Sequence, residues 1–391
     1  MKESIVIPIG PQHPCFKEPM RLDISVDGER VVDADIIISF NHRGVEKATE
    51  ARTYIQNLYL MERVCGICSH SHATCYCQGV EEILGLEIPE RARYIRSFIG
   101  ELERIQSHLF WIGIAGHEIG WDTLLMYTWK DRERVNDMLE QISGNRIHYA
   151  MNTIGGVRRD IREEDRESLK RGLEFLEERA AYYVHVITEE ETFLKRTRGI
   201  ANLPTELAKQ LCAVGPTLRG SNVKMDVRAD DPYAAYEDLD FSVVTTDTCD
   251  VWGRGFVKAS EILQSIRMCN QVLEELPGGD IRVKAPAKVP AGEAVSRYEA
   301  PRGELIHYIK SNGSNMPERI KIRAPTLANW LVMSEMLKGV YLADVAIVTD
   351  AIDPCLCCSA RVTITDRSRG ERRVTTLDAL RRRRDGRTGV A

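Results

Sequence analysis

The sequence has no run of about 18 apolar residues, the length that a membrane-spanning helix needs. Its first ten residues, MKESIVIPIG, are too polar for a signal peptide, so we expect a chain that is not secreted. The 53 basic side chains are slightly outnumbered by 58 acidic ones, which excludes a protein that coats nucleic acid. A hydrophobic content of 43% excludes disorder of the whole chain and is ordinary for a soluble globular protein.

Cysteine is also scarce, since 11 cysteines in 391 residues are too few for a disulfide scaffold. The number is odd and the placement is uneven, because seven of the cysteines lie in two short segments, 65–77 and 355–358. In a reducing compartment thiols persist and bind metals. Because a fold can join distant segments, the two clusters predict one shared site.

Hydrophobic periodicity predicts one α+β domain over residues 1–361, with neither repeats nor a Pro-, Gly- or Ser-rich linker. Alternating residues predict a β segment over 1–40, with a hairpin at Asp27-Gly28. Apolar residues three and four apart predict a helical core over 46–275, and its long helices suggest a central bundle. The helices expected in this core are 46–62, one ending at Glu82, 89–118, 130–150, 163–195, 204–212 and 256–275.

A C-terminal α/β segment is predicted over 280–361. It contains short strands over 280–325, a helix over 326–339 and a loop to Asp353. Residues 362–391 carry nine arginines against four acids, so this tail is basic while the rest of the chain is acidic. The tail reads as strand, turn, strand and short helix, and we expect it to contact an acidic partner or lipid headgroups.

The most specific pattern is a pair of CxxC motifs, at Cys65–Cys68 and Cys355–Cys358. Two such pairs supply four thiolates, a soft ligand set that suits a redox metal or zinc. A zinc ribbon usually places its pairs about 15–20 residues apart, unlike the separation here. A redox-active CxxC would need only one pair. Zinc therefore stays open as an alternative, while Cys75, Cys77 and Cys357 are predicted to be small buried residues.

The segments RVCGICSHSHA (63–73) and DPCLCCSAR (353–361) resemble the two nickel-binding signatures of [NiFe]-hydrogenase large subunits. Other segments resemble the quinone-site subunit of respiratory complex I, a relative without the nickel cysteines. They are GPQHP (10–14), HRGVEK (42–47), ELERIQSHLFWIG (101–113), GGVRRD (155–160) and GPTLRGS (215–221). The combination is similar to the group 4, energy-converting membrane-bound hydrogenases of the Ech type. This resemblance implies a large-subunit fold, a central long-helix bundle with small peripheral β-sheets.

The resemblance also implies a Ni-Fe centre whose iron carries carbon monoxide and cyanide. Cys65 and Cys355 match terminal nickel ligands, whereas Cys68 and Cys358 match the two thiolates that bridge nickel to iron. Dihydrogen would be split heterolytically between the metals and a base.

Two further segments match the pocket around the iron. Arg302, in APRG, matches a cyanide neighbour and candidate proton acceptor, although a surface arginine stays an alternative. Pro325 and Thr326, in RAPT, match a segment that donates hydrogen bonds to cyanide. Thr326 also suits a helix N-cap.

Four more matches concern protons and a second metal. Glu18 matches the first proton-relay glutamate, with an exposed loop glutamate as the alternative. His72 matches a histidine that hydrogen-bonds a bridging sulfur, and Asp353 matches the carboxylate before the third cysteine. Glu46 matches a magnesium ligand, but Arg361 replaces the histidine that completes that site in many relatives.

His13 and His42 lie in the complex-I-like segments and suit either a proton path or turn positions. The chain has no further cysteine set for an iron–sulfur cluster, so electrons must pass to another subunit. The resemblance implies a small [4Fe-4S] subunit, ferredoxin-like subunits, ion-translocating membrane subunits and ferredoxin as electron partner. It places the chain peripherally on the cytoplasmic face of the cell membrane. The alternatives are a complex-I-type subunit that uses quinone or another acceptor without nickel, and a scaffold with structural zinc.

Overall fold

The computed structural model describes residues 5–362, 364–366 and 371–373. Within these residues the helices are α1 Val45–Thr49, α2 Tyr54–Glu62, α3 Ser69–Leu84, α4 Glu90–Glu118, α5 Asp122–Ser143, α6 Glu163–Glu189, α7 Glu191–Thr197, α8 Thr205–Gln210, α9 Pro216–Arg219, α10 Val227–Asp230, α11 Val251–Glu275, α12 Pro325–Leu337, α13 Val345–Ala351 and α14 Leu356–Ser359. The strands are β1 Ile5–Ile9, β2 Arg21–Asp27, β3 Arg30–Ile37, β4 Asn152–Thr153, β5 Gly156–Val157, β6 Gly292–Ala300, β7 Gly303–Ser311, β8 Pro317–Arg323, β9 Ile364–Asp366 and β10 Glu371–Arg373.

Four long helices form the centre of the molecule, which confirms the predicted helical core. Helix α4 packs against α5 and α11, and α11 also packs against α6. The apolar stripe on α4 is buried, with Phe98, Leu102 and Ile105 all 0% exposed. Burial of each such side chain contributes about 1.5–3 kcal/mol, so this stripe fixes how α4 lies among its neighbours.

Buried ion pairs join the central helices to the segments beside them. Glu101 on α4 accepts hydrogen bonds from Arg228, at 3.1 Å, and from the hydroxyls of Tyr236 and Ser265. Arg219, in the GPTLRGS segment, donates to Glu261 on α11 at 2.8 Å. A buried charge is tolerated when it is paired and hydrogen-bonded, so these contacts let charged motifs occupy the interior.

Two three-stranded antiparallel sheets lie at the edge of the helical core. The first has the order β1-β2-β3, and α12 packs against β3. The second has the order β6-β7-β8, and α3 packs against β6 and β7. Ala300 pairs with Gly303 at the tip of the β6–β7 hairpin, so Pro301 and Arg302 form a two-residue turn. The α+β class with small peripheral sheets is confirmed.

Several predicted boundaries were wrong. Residues 46–62 form two helices, because Thr53 and Gln56 make a capping box that starts α2 afresh. The helix expected over 130–150 is α5, which ends where Gly144 adopts a left-handed conformation with φ 81°. The helix expected over 163–195 breaks at Glu190, an extended residue between α6 and α7.

Three more differences lie in connecting segments. The loop expected before Asp353 contains a 3₁₀ turn, Leu342–Asp344, and helix α13. Residues 280–285 form no named strand, and Arg282 makes only an isolated bridge to Gly156. Between the helices expected over 130–150 and 163–195, the chain forms the short strands β4 and β5, which the sequence pattern did not predict.

In the C-terminal tail, β9 and β10 pair antiparallel, with Glu371 opposite Asp366. The short helix predicted over 377–384 lies outside the described residues. Among the helices in the described part of the chain, none combines the length and apolarity needed to cross a bilayer.

Candidate metal centre

The four CxxC cysteines gather at one buried point between α3 and α14. The Sγ of Cys355 lies 3.3 Å from that of Cys65 and 2.9 Å from that of Cys358. The Sγ of Cys68 lies 3.6 Å from that of Cys358. All four sulfur atoms fall within 4.8 Å of one another, and each cysteine is buried. This spacing allows every thiolate to reach one metal ion.

The first cysteine pair is held by the start of helix α3. Cys68 is the residue that precedes α3, and no side chain of that segment caps the helix. Glu103 of α4 does so instead, because it accepts hydrogen bonds from the backbone N–H groups of His70, at 2.7 Å, and Ser71, at 3.0 Å. Burial raises the pKa of Glu103 to about 7, although these hydrogen bonds act to lower it.

The second pair is held from two distant segments. Glu18, in the β1–β2 loop, accepts hydrogen bonds from the backbone N–H groups of Leu356, at 2.5 Å, and Cys357, at 3.1 Å. The hydroxyl oxygen of Thr326 accepts from the backbone N–H of Cys355 at 3.0 Å. Thr326 is the second residue of α12 and Ala324 is the N-cap, so the N-cap reading of Thr326 was wrong.

Arg302 is 3% exposed, so the reading of it as a surface arginine was wrong. Its Nη2 donates to Oδ1 of Asp353 at 2.7 Å, and its Nε donates to the carbonyl of Asp353 at 2.8 Å. The turn that carries Arg302 lies directly against Gly215, where a Cβ atom would come within 2.3 Å of the Arg302 carbonyl oxygen. The glycine of GPTLRGS therefore allows this close approach.

Asp353 is fully buried and faces three cations. Besides Arg302, Lys258 of α11 lies 3.2 Å from its Oδ2 and Lys17 lies 3.3 Å from its Oδ1. Burial alone would raise the pKa of Asp353, but the three cations hold it well below its usual range. Burial lowers the pKa of Lys258 to about 8, although Asp353 acts in the opposite direction. Lys17 also pairs with Asp350 of α13.

A small cavity adjoins one side of the cysteine cluster. It is lined by Cys68, His72, Ala300, Arg302, Leu305, Pro325, Thr326, Cys355 and Cys358. Cys65 is not among the lining residues, so the cavity adjoins the other three cysteines, Cys68, Cys355 and Cys358. The surface that faces it is apolar, although Arg302 and Thr326 belong to its wall, so it suits small and largely apolar ligands.

His72, in the first turn of α3, connects the cysteine cluster to a second histidine. Its Nε2 lies 3.3 Å from Sγ of Cys358, and its Nδ1 lies 3.1 Å from Nε2 of His307 on β7. Burial lowers the pKa of His72 to about 4, while the charge of Cys65 opposes that shift. Burial also holds the pKa of His307 well below its ordinary value, so both rings are neutral at pH 7.

The thiols differ in their acidity. Hydrogen bonds from neighbouring thiols, that of Cys355 first, hold the pKa of Cys65 well below its ordinary value. Burial raises the pKa of Cys358 well above its own. Four buried thiolates need a compensating cation, and a bound metal ion deprotonates the thiols that coordinate it. The donor set therefore fits a soft metal centre, whether nickel with iron or zinc.

The surroundings of Glu46 do not fit a magnesium ion. Its carboxylate accepts from the backbone N–H of Ile322 at 3.1 Å and already faces Lys321 at 3.3 Å, Arg361 at 3.5 Å and Arg319 at 3.6 Å. A dication would be repelled by these positive charges and would need more oxygen ligands than Glu46 supplies. Arg361 also donates to the carbonyl of Ile322 at 2.9 Å.

His13, His42, Cys75, Cys77 and Cys357 belong neither to the cluster of four cysteines nor to the lining of the cavity beside it. His13 is exposed in the β1–β2 loop with its Nδ1 2.9 Å from Sγ of Cys15, and His42 is an exposed turn residue. Cys75 and Cys77 are 0% exposed, which confirms them as small buried residues. Cys357 differs from that prediction, because it is only partly buried.

Sequence reasoning did not find Lys17, Lys258, Glu103, His307 or Asp350. Lys258 stands within the apolar stripe of α11, and a lysine inside such a stripe was the available signal. The others are brought to the site by tertiary contacts, which no local pattern reports.

Two family models match the chain. The nickel-dependent hydrogenase family matches residues 43–172. The 49 kDa subunit family of respiratory-chain NADH dehydrogenase matches residues 118–289 and 282–361. Together the two matches span both cysteine pairs.

Relatives and a solved structure agree with these matches. Membrane-bound hydrogenase subunit alpha of Pyrococcus furiosus is 43% identical, over 92% of this chain and 88% of that protein. Carbon monoxide-induced hydrogenase of Rhodospirillum rubrum is 40% identical, over 92% of this chain and 99% of that protein. The D-type subunit of NADH-quinone oxidoreductase from Dehalococcoides mccartyi is 37% identical, over 90% of this chain and 96% of that protein. A chain of the membrane-bound sulfane sulfur reductase, an archaeal respiratory membrane complex, matches with a TM-score of 0.88 and 32% identity, over 92% of this chain and 99% of that chain.

Proposed function

The chain belongs to the [NiFe]-hydrogenase large-subunit family, which also includes the 49 kDa subunit of respiratory-chain NADH dehydrogenase, and from this premise we propose that it is the catalytic subunit of an energy-converting [NiFe]-hydrogenase. Its reaction is the reversible cleavage of dihydrogen and reduction of protons, with electrons exchanged with ferredoxin. The observation that carries the proposal is the convergence of Cys65, Cys68, Cys355 and Cys358 on one buried point.

The four thiolates would hold the Ni-Fe centre. The resemblance assigns Cys68 and Cys358 to the positions shared by nickel and iron, and both line the small cavity beside the cluster, as does Cys355. When bound, such a centre supplies the redox chemistry that splits dihydrogen. The resemblance adds carbon monoxide and cyanide as ligands of the iron.

The cavity residues would bind and orient those small ligands. The Thr326 oxygen accepts from the Cys355 N–H, and Thr326 also lines the cavity, so its hydroxyl is proposed to donate to a ligand bound there. Pro325 begins α12, so the positive end of that helix also faces the cavity wall. Burial would lower the pKa of Arg302, but Asp353 and the cysteines hold it above its ordinary value. Arg302 therefore acts as a fixed cation and donor, with Asp353 holding it in place.

Glu18 is proposed as the first group that moves protons away from the centre. Its carboxylate holds the backbone of residues 356–357 and also lines an open cleft formed by the β1–β2 loop. One side chain thus touches both the cysteine segment and a solvent-facing cleft. His72 would stabilise the bridging sulfur of Cys358 through its ring nitrogen.

The proposed partners are a small [4Fe-4S] subunit, ferredoxin-like iron–sulfur subunits and ion-translocating membrane subunits. Among the described residues, the four cysteines are the one metal-binding group of this kind, so electrons would leave through another chain. A peripheral position on the cytoplasmic face of the membrane is proposed with these partners. The names of relatives from membrane-bound complexes support the association with a membrane complex.

The basic segment 362–391 is proposed to remain attached and to contact an acidic partner or lipid headgroups. Mass spectrometry of the intact assembled protein tests this, because a chain that ends at Arg361 would contradict retention.

Metal analysis with infrared spectroscopy tests the proposed function. We expect near-stoichiometric nickel, together with bands from carbon monoxide and cyanide. Zinc alone would favour the scaffold alternative. A metal-free protein in an active quinone-reducing complex would favour the complex-I-type alternative, which the Dehalococcoides mccartyi relative supports.

A matched pair of variants tests the ligand assignment. Cys65→Ser should abolish hydrogen activity while the complex still assembles, because a terminal ligand is lost. Cys75→Ser is the control, since Cys75 is equally buried but its Sγ lies 3.4 Å from the Ser296 carbonyl oxygen, outside the cluster. Full activity in the Cys65 variant would contradict the assignment.

A further inference from the structure

Three buried groups form a line that begins at the cysteine cluster and ends in the β6-β7-β8 sheet. The Sγ of Cys358 lies 3.3 Å from Nε2 of His72, whose Nδ1 lies 3.1 Å from Nε2 of His307. His72 is 1% exposed and His307 is 0% exposed. Because both rings are buried, each contact along the line must pair one donor with one acceptor.

The direction of the hydrogen bonds follows from the end of the line that binds metal. A coordinating Cys358 is a thiolate and can only accept, so His72 must carry its proton on Nε2. The Nδ1 of His72 is then a lone pair. The contact between the two rings needs one N–H and one lone pair, so His307 must donate from its Nε2.

The far end of the line agrees with this direction. Nδ1 of His307 is buried, and none of the described residues forms a hydrogen bond with it. If Cys358 donated to His72 and His72 donated to His307, Nδ1 of His307 would carry a proton and would be a donor without an acceptor. If instead His307 donates to His72 and His72 donates to Cys358, Nδ1 of His307 is an unprotonated nitrogen with an unused lone pair. Orphaned buried N–H groups are rarer than under-satisfied acceptors, so the structure favours donation from His307 toward the cysteine.

We infer that His307 is a positioning residue that fixes the tautomer of His72 and thereby keeps a hydrogen bond on the bridging sulfur of Cys358. The inference rests on the proposed function in its assignment of Cys358 as a metal ligand. Hydrogen bonds to a coordinating sulfur reduce its electron donation and so tune the metal. His307 would thus set the electron density of the centre without touching it.

The test compares two substitutions at this position. In H307L the donor is lost, so the His72 tautomer is no longer fixed and the bond to Cys358 weakens. We expect the infrared bands of the iron ligands to move to lower wavenumber, and activity to fall about 10- to 100-fold. In H307Q the amide N–H can replace the donor, so band positions and activity should stay near those of the wild type.

Two controls separate this role from general packing. The first control is I309V. Ile309 lies two residues after His307 on the same face of β7, and its replacement by valine removes buried volume without removing a hydrogen-bond donor. It should leave the bands unshifted, and thermal unfolding of each variant reports whether the fold is intact. Unshifted bands in H307L, in a sample where H72L shifts them, would overturn the inference.

A cobalt-loaded sample keeps this test independent of the proposed function. If the wild type contains no nickel and shows no ligand bands, the proposed function fails by itself. The same variants loaded with Co²⁺ then report on the sulfur through the thiolate-to-cobalt absorption band. H307L should move that band to longer wavelength and H307Q should not, and an unmoved band in H307L would refute the role of His307.

Discussion

Replacement of Lys258 by methionine should stabilise the metal-free protein, although it removes a buried ion pair. Lys258 is one of three cations, with Arg302 and Lys17, that face the two carboxylates of Asp353 and Asp350. Its loss leaves Arg302 for Asp353 and Lys17 for Asp350, so each of the two carboxylates keeps a cation. This differs from the usual case, in which removal of one partner leaves an uncompensated charge.

The size of the effect follows from the pKa of Lys258, which burial lowers from 10.5 to about 8. A shift of this size means that the charged lysine destabilises the folded state by about 3 kcal/mol at pH 7, where the lysine is protonated in both the folded and the unfolded protein. The ammonium also lies 4.8 Å from the centre of the Trp111 ring, and loss of that contact costs about 1–2 kcal/mol. K258M should therefore raise the free energy of unfolding by about 1–2 kcal/mol at pH 7.

Urea unfolding of the metal-free wild type and K258M measures the difference at two pH values. The unfolded lysine binds its proton up to about pH 10.5, whereas the folded one releases it near pH 8, so wild-type stability gains with pH between these values. The advantage of K258M should shrink as the pH approaches about 9.5. K195M, at an exposed lysine of α7, is the control and should change stability by less than about 0.5 kcal/mol. A K258M protein clearly less stable than the wild type at pH 7 would refute the reasoning.

Three other substitutions or treatments probe the site. Glu103→Gln should flatten the dependence of stability on pH between about pH 4.5 and 7. Burial raises the pKa of Glu103 to about 7, so the wild type loses stability as the pH rises through that range. Urea unfolding at several pH values measures the dependence, and an unchanged profile in the variant would contradict the raised pKa. Gly215→Ala should lower nickel content and activity, because the added Cβ would lie within 2.3 Å of the Arg302 carbonyl oxygen and displace the turn that carries Arg302. Metal analysis of the variant measures the nickel content, and a full nickel content would contradict this prediction. Added Mg²⁺ should leave the melting temperature unchanged, since Arg361 and its neighbours already compensate Glu46; a marked rise, absent in E46Q, would reverse that conclusion.

The helical core could be predicted from sequence because its stripes are regular, as in α4, where Phe98, Leu102 and Ile105 are all buried. The ends of the helices were less predictable. Gly144 ends α5 several residues before the expected point, and a left-handed glycine inside a polar stretch gives only a weak signal. Glu190 interrupts α6 and α7 although glutamate is a good helix former, so that break follows from tertiary packing.

The cysteines of the site could be predicted because each CxxC pair is local, and the two clusters together already predicted a shared site, which the family resemblance then specified. The groups around them could not. Lys258 is a charged residue at a buried position. Its burial is explained by its ion pair with Asp353, which forms only when the fold brings α11 and the segment before Cys355 together. His307 lies 235 positions from His72, so only the fold shows their contact.

The two cysteine pairs have one further consequence, for the chain as a polymer. Cys65 and Cys355 are 290 positions apart, yet their sulfur atoms lie 3.3 Å from each other. An ion bound by both would close a loop that contains most of the chain, as a disulfide would. The chain-entropy model of such a cross-link gives about 5–6 kcal/mol for a loop of this length. Metal binding would then cross-link the N-terminal and C-terminal parts of the chain. The metal-bound protein would therefore resist unfolding better than the metal-free protein.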